Sequence, residues 1–133
     1  MANPLMAALE RSPVVAAVFS TDDLQIALDS PCEIIFLLWG NICELDGLIG
    51  RARENGKKIY VHLDLLAGLG KDQYTVQYLK ETFEPDGILT TKSNIAKKSQ
   101  EAGLFVTQPF FMLDSKYFET ACKTVADSSV NAI

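Results

Sequence analysis

The residues with the clearest chemical potential are His62 and Asp64, two positions apart at the end of an apolar stretch. The chain contains one histidine. The apolar residues 59–61, which follow Lys58, favour a β-strand, in which residues two apart point to the same side. We therefore predict Tyr60, His62 and Asp64 on one face and Val61, Leu63 and Leu65 on the other. An imidazole beside a carboxylate can bind hydroxyl groups or perform acid–base catalysis.

Apolar stretches of strand length recur along the chain and alternate with amphipathic segments. The predicted strands cover residues 14–19, 33–38, 59–61, 88–90 and 104–108, and residues 130–133 resemble the opening of a sixth. Helix starts are predicted at Ser20, Asn41, Asp72, Thr91 and Asp114, where polar side chains can accept the first backbone N–H groups. Residues 1–12 are predicted to form a short, helical lead-in.

Buried strands that alternate with helices indicate βαβ crossovers and a parallel sheet. The repeat of about 20 to 30 residues suits the units of a (β/α)₈ barrel. Two architectures remain open, a doubly wound sheet or a TIM-barrel-like fold whose last units are missing. The bare strand at residues 130–133 favours the barrel, because a finished domain seldom leaves such backbone groups unpaired.

The amino-acid composition and net charge favour some classes of protein over others. With 133 residues, 48% of them hydrophobic, the chain can bury a core, and we expect one domain over residues 1–133. No stretch is long enough for a membrane span, and we see no signal peptide. Three cysteines and one histidine indicate free thiols, no metal site and a cytoplasmic location. A net charge of −5 disfavours broad nucleic-acid binding, although Lys92, Lys97 and Lys98 lie close together.

Four motifs in register resemble the glycerol-3-phosphate-responsive antiterminator family. They are Val15-Ala-Ala-Val18, Lys58-Ile-Tyr-Val-His-Leu-Asp64 with Gly68, Asp86-Gly-Ile-Leu-Thr-Thr-Lys92, and Gln108-Pro-Phe-Phe-Met-Leu-Asp-Ser115. The resemblance extends over residues 10–133 and implies a TIM-barrel-like fold. It also implies a bacterial regulator of glycerol uptake that acts in transcription antitermination through leader mRNA, with glycerol 3-phosphate as effector and no other cofactor.

The chain departs from the family pattern in two ways. The family continues beyond the sixth strand with a Pro-Gly segment and a later Gly-Gly loop, so we expect this chain to be part of a longer protein. The family also often has Arg directly after the glutamine of strand five, where this chain has Pro109. The departure puts one candidate anion contact, at Pro109, in doubt.

The resemblance implies a ligand site at the C-terminal ends of the strands, where parallel α/β folds bind ligands. Polar residues at these ends are Ser20, Trp39, Asn41, His62, Asp64, Thr90, Thr91, Lys92 and Gln108. Lys92, beside Thr90 and Thr91 at a helix start, is predicted to bind the phosphate. His62, Asp64 and Gln108 are predicted to bind the glycerol hydroxyls. Each has a structural alternative, such as loop bracing for Asp64 and packing for Trp39.

Two other classes of function stay open. A His–Asp pair with a lysine is also compatible with a TIM-barrel isomerase or aldolase that acts on a small phosphorylated substrate. A structural protein with a vestigial pocket would bind no ligand. We expect a regulator rather than an enzyme, and a homo-oligomer is compatible with the sequence. The sequence shows no RNA-recognition motif, so RNA binding is an implication of the resemblance alone.

Overall fold

A computed structural model describes residues 4–11 and 14–107. Within these residues, helices and strands alternate as the sequence predicts. The strands are β1 (Val15–Val18), β2 (Ile34–Leu37), β3 (Lys58–His62), β4 (Gly87–Leu89) and β5 (Val106–Thr107). The α-helices are α1 (Pro4–Arg11), α2 (Thr21–Asp29), α3 (Ile42–Glu54), α4 (Gln73–Thr82) and α5 (Ser93–Glu101). A 3₁₀ turn at Leu63–Leu65 follows β3.

The five described strands form one parallel sheet in the order β1-β2-β3-β4-β5. Each strand pairs with the next one along the chain, as in a (β/α)₈ barrel, whereas the strand order of a doubly wound sheet reverses at a switch point. The predicted α/β, TIM-barrel-like repeat is therefore confirmed, and the doubly wound alternative is not. The register aligns His62 with Leu89 and Leu89 with Thr107.

The helix ends follow from local capping. The side chains of Ser20, Asn41 and Asp72 accept backbone N–H groups at the starts of α2, α3 and α4, as predicted. Helix α3 ends just before Gly56, whose φ of 70° favours glycine. Helix α5 differs, because its N-cap residue is Lys92, whose side chain makes no capping hydrogen bond.

The sheet buries a different apolar cluster on each face. One face packs against the helices, with Ile35, Leu37, Ile59, Val61, Ile88 and Val106 among the buried residues. The opposite, interior face contains Ile34, Tyr60 and Leu89, and Leu5 of α1 packs into it. Helix α1 is thus part of the core rather than a simple lead-in, because Leu5 covers apolar side chains of the sheet that would otherwise meet water.

Two predictions about the strands change. The predicted strand alternation through Leu65 is wrong, because β3 ends at His62 and the 3₁₀ turn breaks the period of two. Leu65 is consequently 51% exposed. Strand β4 begins and ends one residue earlier than predicted. The predicted Gln108, the helix from Asp114 and the sixth strand from Val130 lie outside the described residues.

Candidate functional site

Asp64 joins the end of β3 to the loop between β4 and α5. Its Oδ1 accepts a hydrogen bond from Thr90 Oγ1 at 2.9 Å. Its Oδ2 accepts bonds from the Thr91 backbone N–H at 2.9 Å and from Thr91 Oγ1 at 2.8 Å. Burial by itself raises the pKa of Asp64, but the hydrogen bonds from Thr91 and Thr90 outweigh it, with help from His62, so the pKa is lowered. Asp64 is therefore a carboxylate that braces the neighbouring loop.

His62 is the last residue of β3 and is 9% exposed. Its Nδ1 atom is buried and has no hydrogen-bond partner among the described residues. Burial lowers the pKa of His62, Asp64 opposes this effect, and the cation of Lys71 adds to it. The lowered pKa favours the neutral form of the imidazole near pH 7.

Lys71, which the sequence prediction missed, also lies at this end of the sheet. Its Nζ donates to the carbonyl of Leu66 at 2.5 Å. Burial lowers the pKa of Lys71, Asp64 raises it, and Lys92 lowers it further. The Lys71 ammonium therefore lies beside the turn that carries Asp64. The available signal in the sequence was the lysine that directly follows Gly68-Leu-Gly70, a loop of the kind that often surrounds anions.

Thr90, Thr91 and Lys92 form the turn from β4 into α5. The Thr90 side chain is fully buried, and its hydroxyl both donates to Asp64 and accepts the backbone N–H of Lys92 at 3.2 Å. The Lys92 side chain is exposed at the helix N-terminus. A cation at this end of a helix is unfavourable for the helix dipole, whereas a bound anion would be favourable.

Thr107 supplies a second buried polar atom without a partner. It is 6% exposed, and its Oγ1 has no hydrogen-bond partner among the described residues. Because Thr107 is in register with Leu89, which is in register with His62, the three side chains lie on the same face of the sheet. Leu89 belongs to the interior cluster, so His62 and Thr107 also face the interior.

The structure brings five of the six predicted site residues together: His62, Asp64, Thr90, Thr91 and Lys92. The sixth, Gln108, lies outside the described residues. Three other polar residues at strand ends have structural partners instead. Ser20 and Asn41 cap helices, and Trp39 packs against the helix-side core, as the packing alternative predicted.

The site is suited to a small polar anion. It combines two lysines, hydroxyl groups and a neutral imidazole at the C-terminal ends of adjacent strands. The described part of the chain contains no group of three His, Cys, Asp or Glu side chains that could hold a metal ion. Within the same residues, no helix is both long and apolar enough to cross a membrane.

Comparison with known proteins identifies relatives of this chain. A family model described as glycerol-3-phosphate responsive antiterminator matches residues 14–133. The uncharacterized protein YgcP of Escherichia coli strain K12 is 37% identical over 130 residues, which cover 98% of this chain and 68% of that protein.

Two crystal structures share the fold. The glycerol uptake operon antiterminator regulatory protein of Listeria monocytogenes matches with a TM-score of 0.81 and 25% identity over 90% of this chain. A glycerol uptake operon antiterminator-related protein of Thermotoga maritima matches with a TM-score of 0.76 and 26% identity over 85% of this chain. The matches span 65% and 63% of those two chains, less than two thirds of their length.

Proposed function

This chain belongs to the glycerol-3-phosphate responsive antiterminator family, and from that premise we propose that it is a cytoplasmic sensor of glycerol 3-phosphate. The effector binds at the C-terminal ends of β3, β4 and β5. Its binding regulates antitermination in the leader mRNA of an operon for glycerol uptake. The ligand-binding part of this proposal is supported by one observation, a cluster of polar residues at one edge of the sheet. The cluster consists of His62, Asp64, Thr90, Thr91 and Lys92.

The chemistry of the cluster matches the two ends of this effector. A phosphate monoester carries about two negative charges near pH 7, which the Lys92 cation and the N-terminus of α5 would stabilise. The glycerol hydroxyls can donate to or accept from His62 Nδ1, which is buried and unpartnered within the described chain. Gln108 stays a predicted hydroxyl contact from the sequence.

The same geometry supports sensing over catalysis. A Schiff-base lysine needs a desolvated pocket, whereas Lys92 is exposed at the start of α5. A catalytic carboxylate needs oxygens directed at the substrate, whereas both oxygens of Asp64 accept bonds from Thr90 and Thr91. Binding without conversion of the ligand therefore suits these residues better than the isomerase or aldolase alternative.

Calorimetric titration of the full-length protein tests this proposal. We expect binding of glycerol 3-phosphate, much weaker binding of glycerol, and recovery of the phosphate ester unchanged. Chemical conversion of the ester would favour the enzyme alternative. Absence of heat with either compound would contradict the effector assignment.

Substitution of Asp64 and Lys92 by alanine tests the site itself. Each variant should lose about tenfold or more in affinity for glycerol 3-phosphate, because Lys92→Ala removes a charge-assisted contact and Asp64→Ala frees the loop that positions it. Asp64→Ala should also lose about 1–3 kcal/mol of stability while remaining folded, because Thr90 loses its acceptor. Lys97→Ala, on the exposed side of α5, is the matched control. Wild-type affinity in both variants would rule out this location.

The RNA part of the proposal derives from family membership. We expect the full-length protein to shift the mobility of its leader mRNA in a gel, with an affinity that changes when glycerol 3-phosphate is added. If the affinity for the RNA were the same with and without glycerol 3-phosphate, RNA recognition would be independent of ligand sensing. The net charge of −5 makes a confined contact surface more suitable than a broad basic one.

A further inference from the structure

Positive charge is concentrated where α3 ends and β3 begins. Residues 51–58 contain one acidic side chain, Glu54, and four basic ones. The basic residues of this segment, called the basic rim below, are Arg51, Arg53, Lys57 and Lys58. By contrast, residues 20–50 contain six acidic side chains and no basic one. The net charge of −5 is therefore unevenly distributed, with a short basic segment directly after a long acidic one.

Hydrogen bonds place the basic rim at the N-terminal ends of the strands, opposite the candidate ligand site. Lys58 is the first residue of β3, and its backbone N–H donates to the Glu33 carbonyl at 2.9 Å. The Lys57 ammonium donates to the backbone carbonyls of Ser30 and Cys32, both at 2.6 Å. Both lysines are thus anchored against the segment that leads into β2, on a rigid part of the sheet.

The carboxylates beside the starts of β2 and β3 already have partners within the protein. Glu33 accepts hydrogen bonds from Nε and Nη2 of Arg11, at 2.9 to 3.2 Å. Asp86 accepts the backbone N–H of Ile59 at 2.7 Å. The basic rim is therefore not needed to compensate either carboxylate.

The basic rim keeps its positive charge. Neither described ion pair involves one of its four side chains. Arg51 donates to the neutral side chain of Gln25 at 2.7 Å, and Lys57 donates to neutral carbonyls, so these partners cancel no charge. The dipole of α3 favours cations in its last turn, which accounts for Arg51 and Arg53. It does not account for Lys58, which belongs to β3.

A second basic stretch, residues 92–98, is less suited to a large anion. Lys98 forms an ion pair with Glu101 at 3.9 Å. Lys92 lies in the candidate ligand site, at the C-terminal ends of the strands. Lys97 is then the exposed cation of this stretch without an assigned role. The basic rim offers more cations that no carboxylate compensates.

We propose that the basic rim binds the phosphate backbone of RNA. This inference rests on the proposed function, which supplies the RNA, and deepens it by naming the contact surface. Each phosphate of an RNA backbone is negatively charged, and contacts from lysine and arginine release the counterions that surround it. A confined basic surface on an acidic protein attracts such a polyanion in one place and repels it elsewhere.

Strand β3 connects the basic rim to the candidate ligand site. It extends from Lys58 to His62, which corresponds to about 13 Å at 3.3 Å per residue. RNA and effector therefore bind at opposite ends of the same strand and are bound at the same time. Glycerol 3-phosphate then changes RNA affinity through the protein, not by competing with RNA for the same lysines.

RNA titrations at several salt concentrations test this surface in the full-length protein. The double variant Arg53→Gln and Lys58→Gln should bind the leader mRNA about tenfold more weakly or worse. The slope of log affinity against log salt concentration should fall by about 1.4, or about 0.7 for each lost contact to a single strand. Its affinity for glycerol 3-phosphate should be unchanged.

Two matched variants control for charge. Arg53→Lys with Lys58→Arg keeps both cations and should bind RNA nearly as the wild type does. Lys97→Gln with Lys98→Gln removes the same charge from α5 and should leave RNA affinity within about twofold, because distant surface charges are largely screened. Thermal melts verify that each variant is folded.

The outcomes separate this inference from the proposed function. If the basic-rim variant bound RNA as well as the α5 variant does, this inference would be overturned while RNA binding by the wild type still supports the proposed function. Loss of glycerol 3-phosphate affinity in the basic-rim variant, or displacement of the effector by RNA, would contradict binding at opposite ends. Wild-type protein that binds glycerol 3-phosphate but no RNA would overturn this inference and the RNA part of the proposed function.

Discussion

At the residue scale, the central interaction is the set of three hydrogen bonds that Asp64 accepts from Thr90 and Thr91. It couples the end of β3 to the start of α5, so the position of Lys92 depends on a carboxylate from a neighbouring strand. The sequence predicts that Asp64 lies near the end of a strand. It does not reveal whether the carboxylate contacts a ligand or a loop, because the partner residues are 26 and 27 positions away.

The pKa of His62 predicts how stability depends on pH. Burial lowers this pKa below its ordinary value of 6.5, so the unfolded chain takes up the proton more readily than the folded chain. Stability should therefore fall as the pH drops through 6.5. The pKa of Asp64 is lowered from 3.8, so its contribution is present above that value and is lost only under more acidic conditions.

Chemical denaturation at pH 7.5 and pH 5 measures the first of these effects. His62→Gln, which does not titrate, should show a smaller loss of stability between the two pH values than the wild type. An equal loss in both proteins would mean that another group causes it.

At the scale of the elements, β4 depends on a glycine that allows an aromatic ring to pack. A Cβ atom at Gly87 would lie 2.6 Å from the Phe105 carbonyl oxygen and 2.6 Å from Tyr60 Cδ1. Tyr60 contacts Phe36 and Phe105 edge to face, with ring centroids 5.7 and 5.8 Å away. The interior cluster therefore requires the smallest residue at the start of β4, since its neighbours are backbone and a buried ring.

Gly87→Ala should lower the free energy of unfolding by about 1–3 kcal/mol, because neither the Phe105 carbonyl nor the Tyr60 ring can move freely. Gly47→Ala is the matched control, because a Cβ at Gly47 in α3 meets no atom within 4 Å. That change should stabilise the helix by about 0.5–1 kcal/mol. Urea titration measures both, and equal effects of the two substitutions would contradict the packing argument.

At the scale of the whole molecule, β1 lies at one end of the described sheet and has apolar residues around it. Val14, Phe19 and Ile26 are 63%, 58% and 68% exposed. An edge strand with apolar neighbours is a surface on which chains associate. We therefore predict that a homo-oligomer, which the sequence allows, would form at this edge of the described sheet.

We expect the 133-residue chain to self-associate through this edge. Sedimentation velocity should give a mass that rises with concentration above the 14.6 kDa of one chain. The double substitution Phe19→Lys and Ile26→Lys should shift the distribution towards the single chain, because charged side chains there would disrupt an exposed apolar surface. Tyr74→Lys, which changes a residue of α4 that is 70% exposed, should not. A wild-type chain that stays monomeric at all concentrations would contradict this prediction.

The sequence by itself determined the elements, because their signals are local. Alternation of apolar strands with amphipathic helices indicated the parallel α/β repeat, and the polar side chains of Ser20, Asn41 and Asp72 located three helix starts correctly. Motifs in register indicated the family, and the positions of His62, Asp64 and Lys92 after predicted strands indicated one common edge of the sheet.

Only the tertiary structure decided which partners these residues have. It showed that β3 ends at His62 and that Asp64 bonds to Thr90 and Thr91. It also showed that Lys71 bonds to the Leu66 carbonyl and that Leu5 packs into the interior face. These features depend on contacts between segments far apart in the chain, whose geometry follows from strand order and packing. Local sequence patterns predict the helix or strand on which a side chain lies, whereas the packing of neighbouring strands determines its contacts.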